Sequence, residues 1–560
     1  MFSGRYCQIL LMVSALIGGA NASASQKADT IITNAVIYGH PQADTLAIKD
    51  GLFLYVGSER EAGGMFSSET ELIDAEGAFV MPGFIDNHNH VFEAASQAAG
   101  VCELSGDALL KGQIPYLKKC RAEAESDNWL LGYGFSLDNL LNDENRETPL
   151  QVIDRIFPDQ PVILMEQTSH SMWVNSLALD LAGINKSSPQ PQGGRILKDS
   201  RSGELNGILL DNAGDLVMEQ AWNSNTNQFE LSYQGLMAGL EEAAASGITT
   251  IGDGRMYWKR GWFDVWQAAE QQGELTARVS VRPWIYPSDK LQTQLKYLKS
   301  IQSGDPSRLL LVNQVKMYSD GIIINGTAKT LQPYRFSYLK DAPYGLNYIP
   351  MEQMKVWLRR LDQIGYSAHI HAIGDGAVRE SLDAIEYVRG LGADKPYTLT
   401  HIEMVSKIDR ARFAQLNVSA DFQVGSDYIA YHDHQWAEAF IGAQRARNLM
   451  NLRALFNTGA NVTLSSDWDV NSINPLVGIA NSLKMDKTGL PDIDSAIRAY
   501  TINAARSLGL DAVTGSIEVG KSADLVMLDS NITRLSPDII ADAQVLMTLL
   551  QGRVVFEAEY

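Results

Sequence analysis

The sequence predicts an α/β protein: a TIM-type (β/α)8 barrel, a small β-sandwich domain drawn from the N- and C-terminal segments, and an insertion after barrel strand 1. Three observations predict it. Apolar β-rich runs ending in polar residues or glycine recur along the chain with helix-like segments between them, and such alternation indicates parallel βαβ units. The runs number eight, which suits closure into this kind of barrel. The β-like runs that do not alternate with helices sit toward the two chain ends, and chain ends often lie close together.

The first run is "FVMPGFIDNHNH" at 79–90. "GITTIGDG" (247–254), "ARVSVRPWI" (277–285) and "LLVNQVKMYSDG" (310–321) follow. "YSAHIHAIGD" (366–375), "YTLTHIE" (397–403), "NVSADFQ" (417–423) and "NVTLSSDWD" (461–469) complete the set. Between them, "FELSYQGLMAGLEEAAAS", "MEQMKVWLRRLDQI" and "DGAVRESLDAIEYVRGL" space their apolar residues as helices do. The barrel is therefore expected over 81–509. "TIITNAVIYG", "LAIKDGLFLYVG" and "ELIDAEGAFV" near the start, with "SADLVMLDS" and "VLMTLLQGRVVFEAEY" near the end, predict the β-domain from 23–80 plus 510–560. Residues 103–240 are too long for a structureless loop. They include "FPDQPVILMEQTSHSMWVNSLALDLAGI", with strand and helix character of its own, and are expected to fold as an insertion over the barrel mouth.

The first residues read "MFSGRYCQILLMVSALIGGANASASQ". One basic residue, an apolar run too short to span a bilayer comfortably, and the small-residue site "ANA" predict a signal peptide over 1–22, hence a secreted or periplasmic protein with no membrane attachment after cleavage. The formal net charge of -20 argues against nucleic acid and anionic membrane surfaces as partners. Of three cysteines, Cys7 leaves with the signal. Cys102 and Cys120 remain, and an oxidising compartment permits them to pair; spacing alone does not decide whether they do.

Active sites of such barrels lie at the C-terminal ends of the strands. His88 and His90, alternate residues of one strand, share a face. Lys316, His371, His401 and Asp467 stand at the ends of strands four, five, six and eight. Four histidines and a carboxylate at one face make a nitrogen/oxygen metal site, and the chain has only nine histidines to place. The bland alternatives are a polar loop, a salt-bridged core lysine and a strand cap. His369 lies one layer deeper and reads as a core or supporting histidine. His432 and His434 in "YHDHQW" read as a solvated loop, and Arg445 as half of a surface ion pair. Trp173 and Tyr318 are candidate walls of a substrate pocket.

Together "MPGFIDNHNH", "VKMYSDG", "HAIGD", "SSDWDVNSINPL" and "GSIEVGKSADLVMLD" resemble motifs of the amidohydrolase superfamily, and within it the YtcJ-like (amidohydrolase 3) group that includes N-substituted formamide deformylases. The resemblance covers nearly the whole mature chain. "THIE" departs from it, because many members have Glu-His there; His401 matches and its neighbour does not. The resemblance implies hydrolysis of an amide or related C–N bond (N-acyl, N-formyl or cyclic amide) by metal-activated water. Asp467 would be the proton shuttle and His401 would help to hold the oxyanion. It implies a carbamate on Lys316 bridging two metals, with zinc ahead of iron, manganese and nickel. His170 in "QTSHSMWVNS" matches a histidine of similar members and is read either as a substrate contact or as a residue that holds the insertion together. A lactonase, ester hydrolase or isomerase on the same site, and a metal-containing binding protein without turnover, are the competing readings; an intact Asp467 favours catalysis. A small-molecule substrate is the expected partner, and a homo-oligomer is compatible with the sequence. N-terminal sequencing of the soluble protein from its native host is expected to start at Ser23; finding Met1 there would overturn both the cleavage and the export.

Overall fold

Eight parallel strands follow one another in chain order: β1 (Phe84–Asn89), β2 (Ile248–Asp253), β3 (Arg278–Ser280), β4 (Gln314–Tyr318), β5 (Ser367–His371), β6 (Tyr397–Thr400), β7 (Val418–Gln423) and β8 (Asn461–Ser465). The structure is a computed structural model that describes residues 26–94, 100–124, 128–141, 147–224, 226–426, 429 and 434–559. The expected signal peptide lies outside the described residues. Strands β1 to β3, continued by Leu310–Leu311, form one sheet, and β4 to β8 form another. Lys316 joins them: its N–H donates to the Pro283 carbonyl at 3.0 Å and its carbonyl accepts from Ile285 N–H at 3.0 Å. On the far side β8 meets β1. Asp467 N–H donates to the His88 carbonyl at 2.8 Å, and His90 N–H to the Trp468 carbonyl at 2.7 Å.

Every residue of β1, β4 and β5 is buried, as expected of parallel strands covered on both faces. The covering helices show why they form. In Met351–Gln363 the buried residues are Met354, Trp357, Leu358 and Leu361, the stripe of one helical face. In Asp375–Gly390, Val378, Leu382, Ile385 and Val388 do the same. The helix Gln228–Ala245 falls largely within the span expected for the insertion, yet its Leu236, Leu240 and Ala243 pack into the main core around the strands. It is one of the helices expected between the strands, so the insertion ends before it.

The run "FVMPGFIDNHNH" is two strands, not one. Phe79–Pro82 pairs antiparallel with Leu525–Leu528, while β1 pairs with β2. Gly83 marks the break, and a Cβ there would sit 2.2 Å from Thr249 Oγ1. Strands from both chain ends thus share a sheet: Val36–Ile37, Phe79–Pro82, Leu525–Leu528, Val545–Leu550 and Arg553–Glu557. A second sheet is ordered Leu52–Gly57, Thr45–Lys49, Thr30–Thr33, Glu71–Asp74. Ile32, Leu46, Phe53, Val80, Leu525 and Leu549, from both sheets, form one apolar cluster. Between β1 and β2 the chain builds a separate six-stranded sheet from Cys102–Glu103 to Leu205–Asp211. Cys102 and Cys120 pair there as a disulfide, tying its first strand to the helix Ile114–Glu123. No helix among the described residues is long and apolar enough to cross a membrane.

The interior beneath the strand ends is polar and hydrogen-bonded. Arg282, fully buried, donates to the Asn87 carbonyl at 2.6 Å, to Asn87 Oδ1 at 2.8 Å and to Gln314 Oε1 at 3.0 Å. Burial lowers its pKa to about 10, with Asp421, Asp253 and Asp86 opposing the shift. Replacing Arg282 with methionine strands these acceptors. Arg282→Met is expected to cost roughly 3 kcal/mol, read as a lower midpoint of urea unfolding; an unchanged midpoint would show that the arginine does not tie β1 to β4.

Candidate active site

Alternation along β1 sets His88 and His90 side by side, with their Nε2 atoms 3.3 Å apart. The bonds between β8 and β1 deliver Asp467 to the same point. Its Oδ1 lies 2.9 Å from His90 Nε2 and 3.3 Å from His88 Nε2, and its Oδ2 lies 3.7 Å from His401 Nδ1. Lys316, fully buried, brings Nζ to 3.3 Å from His88 Nε2 and has no ion-pair partner among the described residues. That disposes of the salt-bridged reading. His371 stands 4.7 Å from His401 between ring centroids and stacks on Tyr318 at 4.2 Å. The six residues expected at the strand ends are brought together.

Each imidazole is oriented by what its other nitrogen meets. His88 Nδ1 lies 2.7 Å from His369 Nε2, so the deeper histidine holds His88. His90 Nδ1 faces Glu93 Oε2 at 3.3 Å, and Arg255 in turn donates to Glu93 at 3.1 Å and to the Tyr318 hydroxyl at 3.2 Å. His371 Nε2 lies 3.2 Å from the Gly321 carbonyl. It must carry the proton there, which leaves Nδ1, buried and unpartnered, with a free lone pair. Fixing one nitrogen so that the other can ligate is the usual support of a metal-binding histidine. Glu93 and Arg255 were not legible as site residues. Glu93 lies one helical turn beyond His90, and that spacing was the available signal.

Burial and then Lys316 hold His88 well below the usual histidine range. Burial, then His401 and His170, does so for His371. Burial drives His401 down to about 3, with Asp467 opposing and Lys316 assisting. These three imidazoles are therefore neutral, the ligating form. Burial alone would raise Asp467, but His401 and hydrogen bonds from His88 and His90 hold it well below the carboxylate range. Burial is the largest influence on Lys316 and pushes it well below the usual lysine value, against the pull of Asp467. The donors fit a metal ion. Separations of 2.9 to 3.3 Å among His88 Nε2, His90 Nε2 and Asp467 Oδ1 are close to the edge of a tetrahedron with bonds of about 2.0–2.2 Å.

His88, His369 and Asp421 also lie close enough to suggest a deeper ion. The hydrogen bonds exclude it. Asp421 Oδ1 accepts from Asn87 and Thr463, and Oδ2 from Thr400, Gln423 and Ser465, at 2.6–3.1 Å. No lone pair is left for a cation.

Above the cluster opens a cavity of about 520 Å³. His90, His371, His401 and Asp467 face it, and Ile322, Ile323, Phe440 and Met450 are among its apolar lining. The insertion contributes Ser136, Gln167 and His170. His170 Nδ1 lies 2.7 Å from Asp211 Oδ1, and its ring stacks on Tyr318 at 5.6 Å. His170 and Tyr318 therefore line the cavity. Trp173 does not. Its indole N–H donates to the Pro149 carbonyl and its ring meets Phe135 in the insertion's own core, because it pairs in a central strand of that sheet. His432 lies outside the described residues; His434 is buried rather than solvated. Arg445 makes no ion pair among the described residues and instead donates to the carbonyls of Gln332, Pro333 and Ile441. Glu403, missed in the sequence, lines the cavity, and burial pushes its carboxyl up to about 7.

Imidazoles, a buried lysine and a carboxylate at the C-terminal ends of parallel strands define a metal-dependent hydrolase site. The chain belongs to the amidohydrolase family: the Amidohydrolase family profile matches residues 71–556. It is a metal-dependent amidohydrolase. It is 30% identical to Protein LONG AFTER FAR-RED 3 of Arabidopsis thaliana, over 94% of this chain and 92% of that one. It is 26% identical to N-substituted formamide deformylase of Arthrobacter pascens, over 95% and 99%. Its fold matches that of an uncharacterized metal-dependent hydrolase from Pyrococcus horikoshii, with a TM-score of 0.70 at 22% identity over 91% of this chain and 99% of the other. A protein carrying both His88→Ala and His90→Ala is expected to purify without its metal ion; equal metal in wild type and variant by elemental analysis would refute the ligand assignment.

Proposed function

We propose that the protein is an exported hydrolase of an amide or related C–N bond of a small molecule, N-acyl, N-formyl or cyclic. In this reading His88, His90, Lys316, His371, His401 and Asp467 hold two divalent ions, zinc foremost. The observation that carries it is the convergence of these six residues beneath a cavity lined in part by apolar side chains. The likeness to an N-substituted formamide deformylase supports the C–N bond as target. The Cys102–Cys120 disulfide supports export, since such bonds persist in oxidising compartments. The small β-domain from the two chain ends and the insertion between β1 and β2 frame a barrel in this reading.

A bound divalent ion supplies Lewis acidity and lowers the pKa of water from about 15.7 to about 7. The chain does the rest. Asp467, kept ionised by its histidine neighbours, accepts the proton of the attacking water and delivers it to the leaving nitrogen. His401 orients that carboxylate from 3.7 Å. His170, fixed by Asp211, and Tyr318, fixed by Arg255, flank the substrate carbonyl. Lys316 is the residue we assign as a carbamate. Its amine is buried and driven neutral, and a neutral amine is the form that attacks CO2, losing a proton as the N–C bond forms. The resulting anion adds the second negative charge, beside Asp467, that two divalent ions call for.

A panel of N-formyl, N-acyl, cyclic-amide and lactone compounds on metal-loaded protein tests the reading. Amide turnover is expected. Asp467→Asn should lower kcat by about 10² to 10⁴, and Lys316→Ala should halve the metal content. Lactone turnover without amide turnover would replace the proposal with an ester hydrolase. One ion per chain in wild type would remove the carbamate bridge.

A further inference from the structure

The wall of the cavity carries a carboxyl that the proposed chemistry does not use. Glu403 is pinned by its backbone. Its N–H donates to the His401 carbonyl at 2.8 Å, and its carbonyl accepts from Met450 N–H at 2.9 Å. Its side chain lines the cavity beside Met450 and Phe440. Oε2 is sealed from solvent, and the carboxyl has no hydrogen-bond or ion-pair partner among the described residues. Other acids around the site are partnered. Glu93 has Arg255, Asp211 has His170, and Asp138 accepts from the Tyr338 hydroxyl at 2.6 Å. The single cation among the described lining residues, Arg255, is already committed to Glu93 and Tyr318.

A buried acceptor without a donor is costly, and the cost is relieved by a ligand that brings the donor. The relief is largest for a charged one. A ligand carboxylate gains nothing here. At the end remote from the metal ligands it would meet Glu403 and Asp138 with no uncommitted cation among the described lining residues, and like-charge juxtaposition is how sites refuse wrong ligands. Resting on the amide-hydrolase reading above, we propose that Glu403 recognises a donor nitrogen of the substrate, an ammonium or N–H separated from the scissile amide by an apolar segment, and that the cavity refuses substrates ending in a carboxylate.

The test uses three straight-chain hydroxamates of equal length, ending in an ammonium, a methyl or a carboxylate. The hydroxamate grips the metal and is common to all three. Dissociation constants are measured by calorimetry on the metal-loaded, full-length protein. The ammonium compound is expected to bind about tenfold tighter than the methyl one and about a hundredfold tighter than the carboxylate. Glu403→Gln should bring the first ratio within about threefold while elemental analysis finds the metal content unchanged. Equal binding of all three by wild type, or tighter binding of the carboxylate, overturns the assignment and leaves the hydrolase reading intact. Binding of none overturns the metal centre itself, and this assignment with it. A wild-type preference that survives Glu403→Gln places recognition elsewhere and refutes the role of Glu403.

Discussion

The site depends on the seam between β8 and β1. Ser466 is 380 residues from Asp86 in the chain, yet its N–H and hydroxyl donate to the Asp86 carboxylate at 2.9 and 2.6 Å. Next along, Asp467 N–H reaches the His88 carbonyl and His90 N–H reaches the Trp468 carbonyl. These bonds join the last strand to the first. They also fix the depth at which Asp467 meets the two histidines. If the register slipped by one residue, the side chains at the seam would face the other way, and the carboxylate would lose both imidazoles at once.

What lies beneath the seam explains how charged and polar groups survive in so dry an interior. Burying such groups is tolerable when every donor and acceptor is paired. Arg282 spends its donors on Asn87 and Gln314. Asp421 collects five donors from four different strands. The result is a rigid polar floor with little freedom left in it. The nitrogens with free lone pairs lie one layer higher. His371 Nδ1 has no protein partner, while the Nε2 atoms of His88 and His90 meet only each other, Asp467 and Lys316. Lone pairs thus remain open at the place where a cation would sit.

Much of this was legible in the sequence because the signals were periodic or compositional. The eight strands appear as β-rich runs, and the histidines fall at their ends. His88 and His90 could be read as a pair from their spacing of two. The cross-chain relations were not legible. That Asp211 holds His170 and that Arg255 ties Glu93 to Tyr318 both depend on elements far apart in the chain. Trp173 misled for the same reason. Its neighbours in sequence reach the cavity, but strand alternation and a central place in the insertion sheet turn it into a different core. The doubled strand at 79–90 was missed because one apolar run fed two sheets, and only the sterics at Gly83 separate them.

Three residues of the candidate site have a backbone that departs from the ordinary. His401 and Asp467 have φ of 58° and 54°, and Asp211 has 53°. Side chains with a Cβ enter this region at a cost of order 1–3 kcal/mol, so the surrounding structure must hold them there. The holding groups are visible: Asp467 N–H is bonded to the His88 carbonyl, Glu403 N–H to the His401 carbonyl, and Asp211 N–H to the His170 carbonyl. In each case a backbone bond to or from a site residue fixes the turn. The chain leaves the strand there and folds back over the ligand cluster instead of continuing its alternation. Backbone strain and side-chain placement therefore have one cause. His401 and Asp467 arrive beside the metal-binding atoms already oriented, and Glu403 is carried into the cavity wall by the same turn that presents His401.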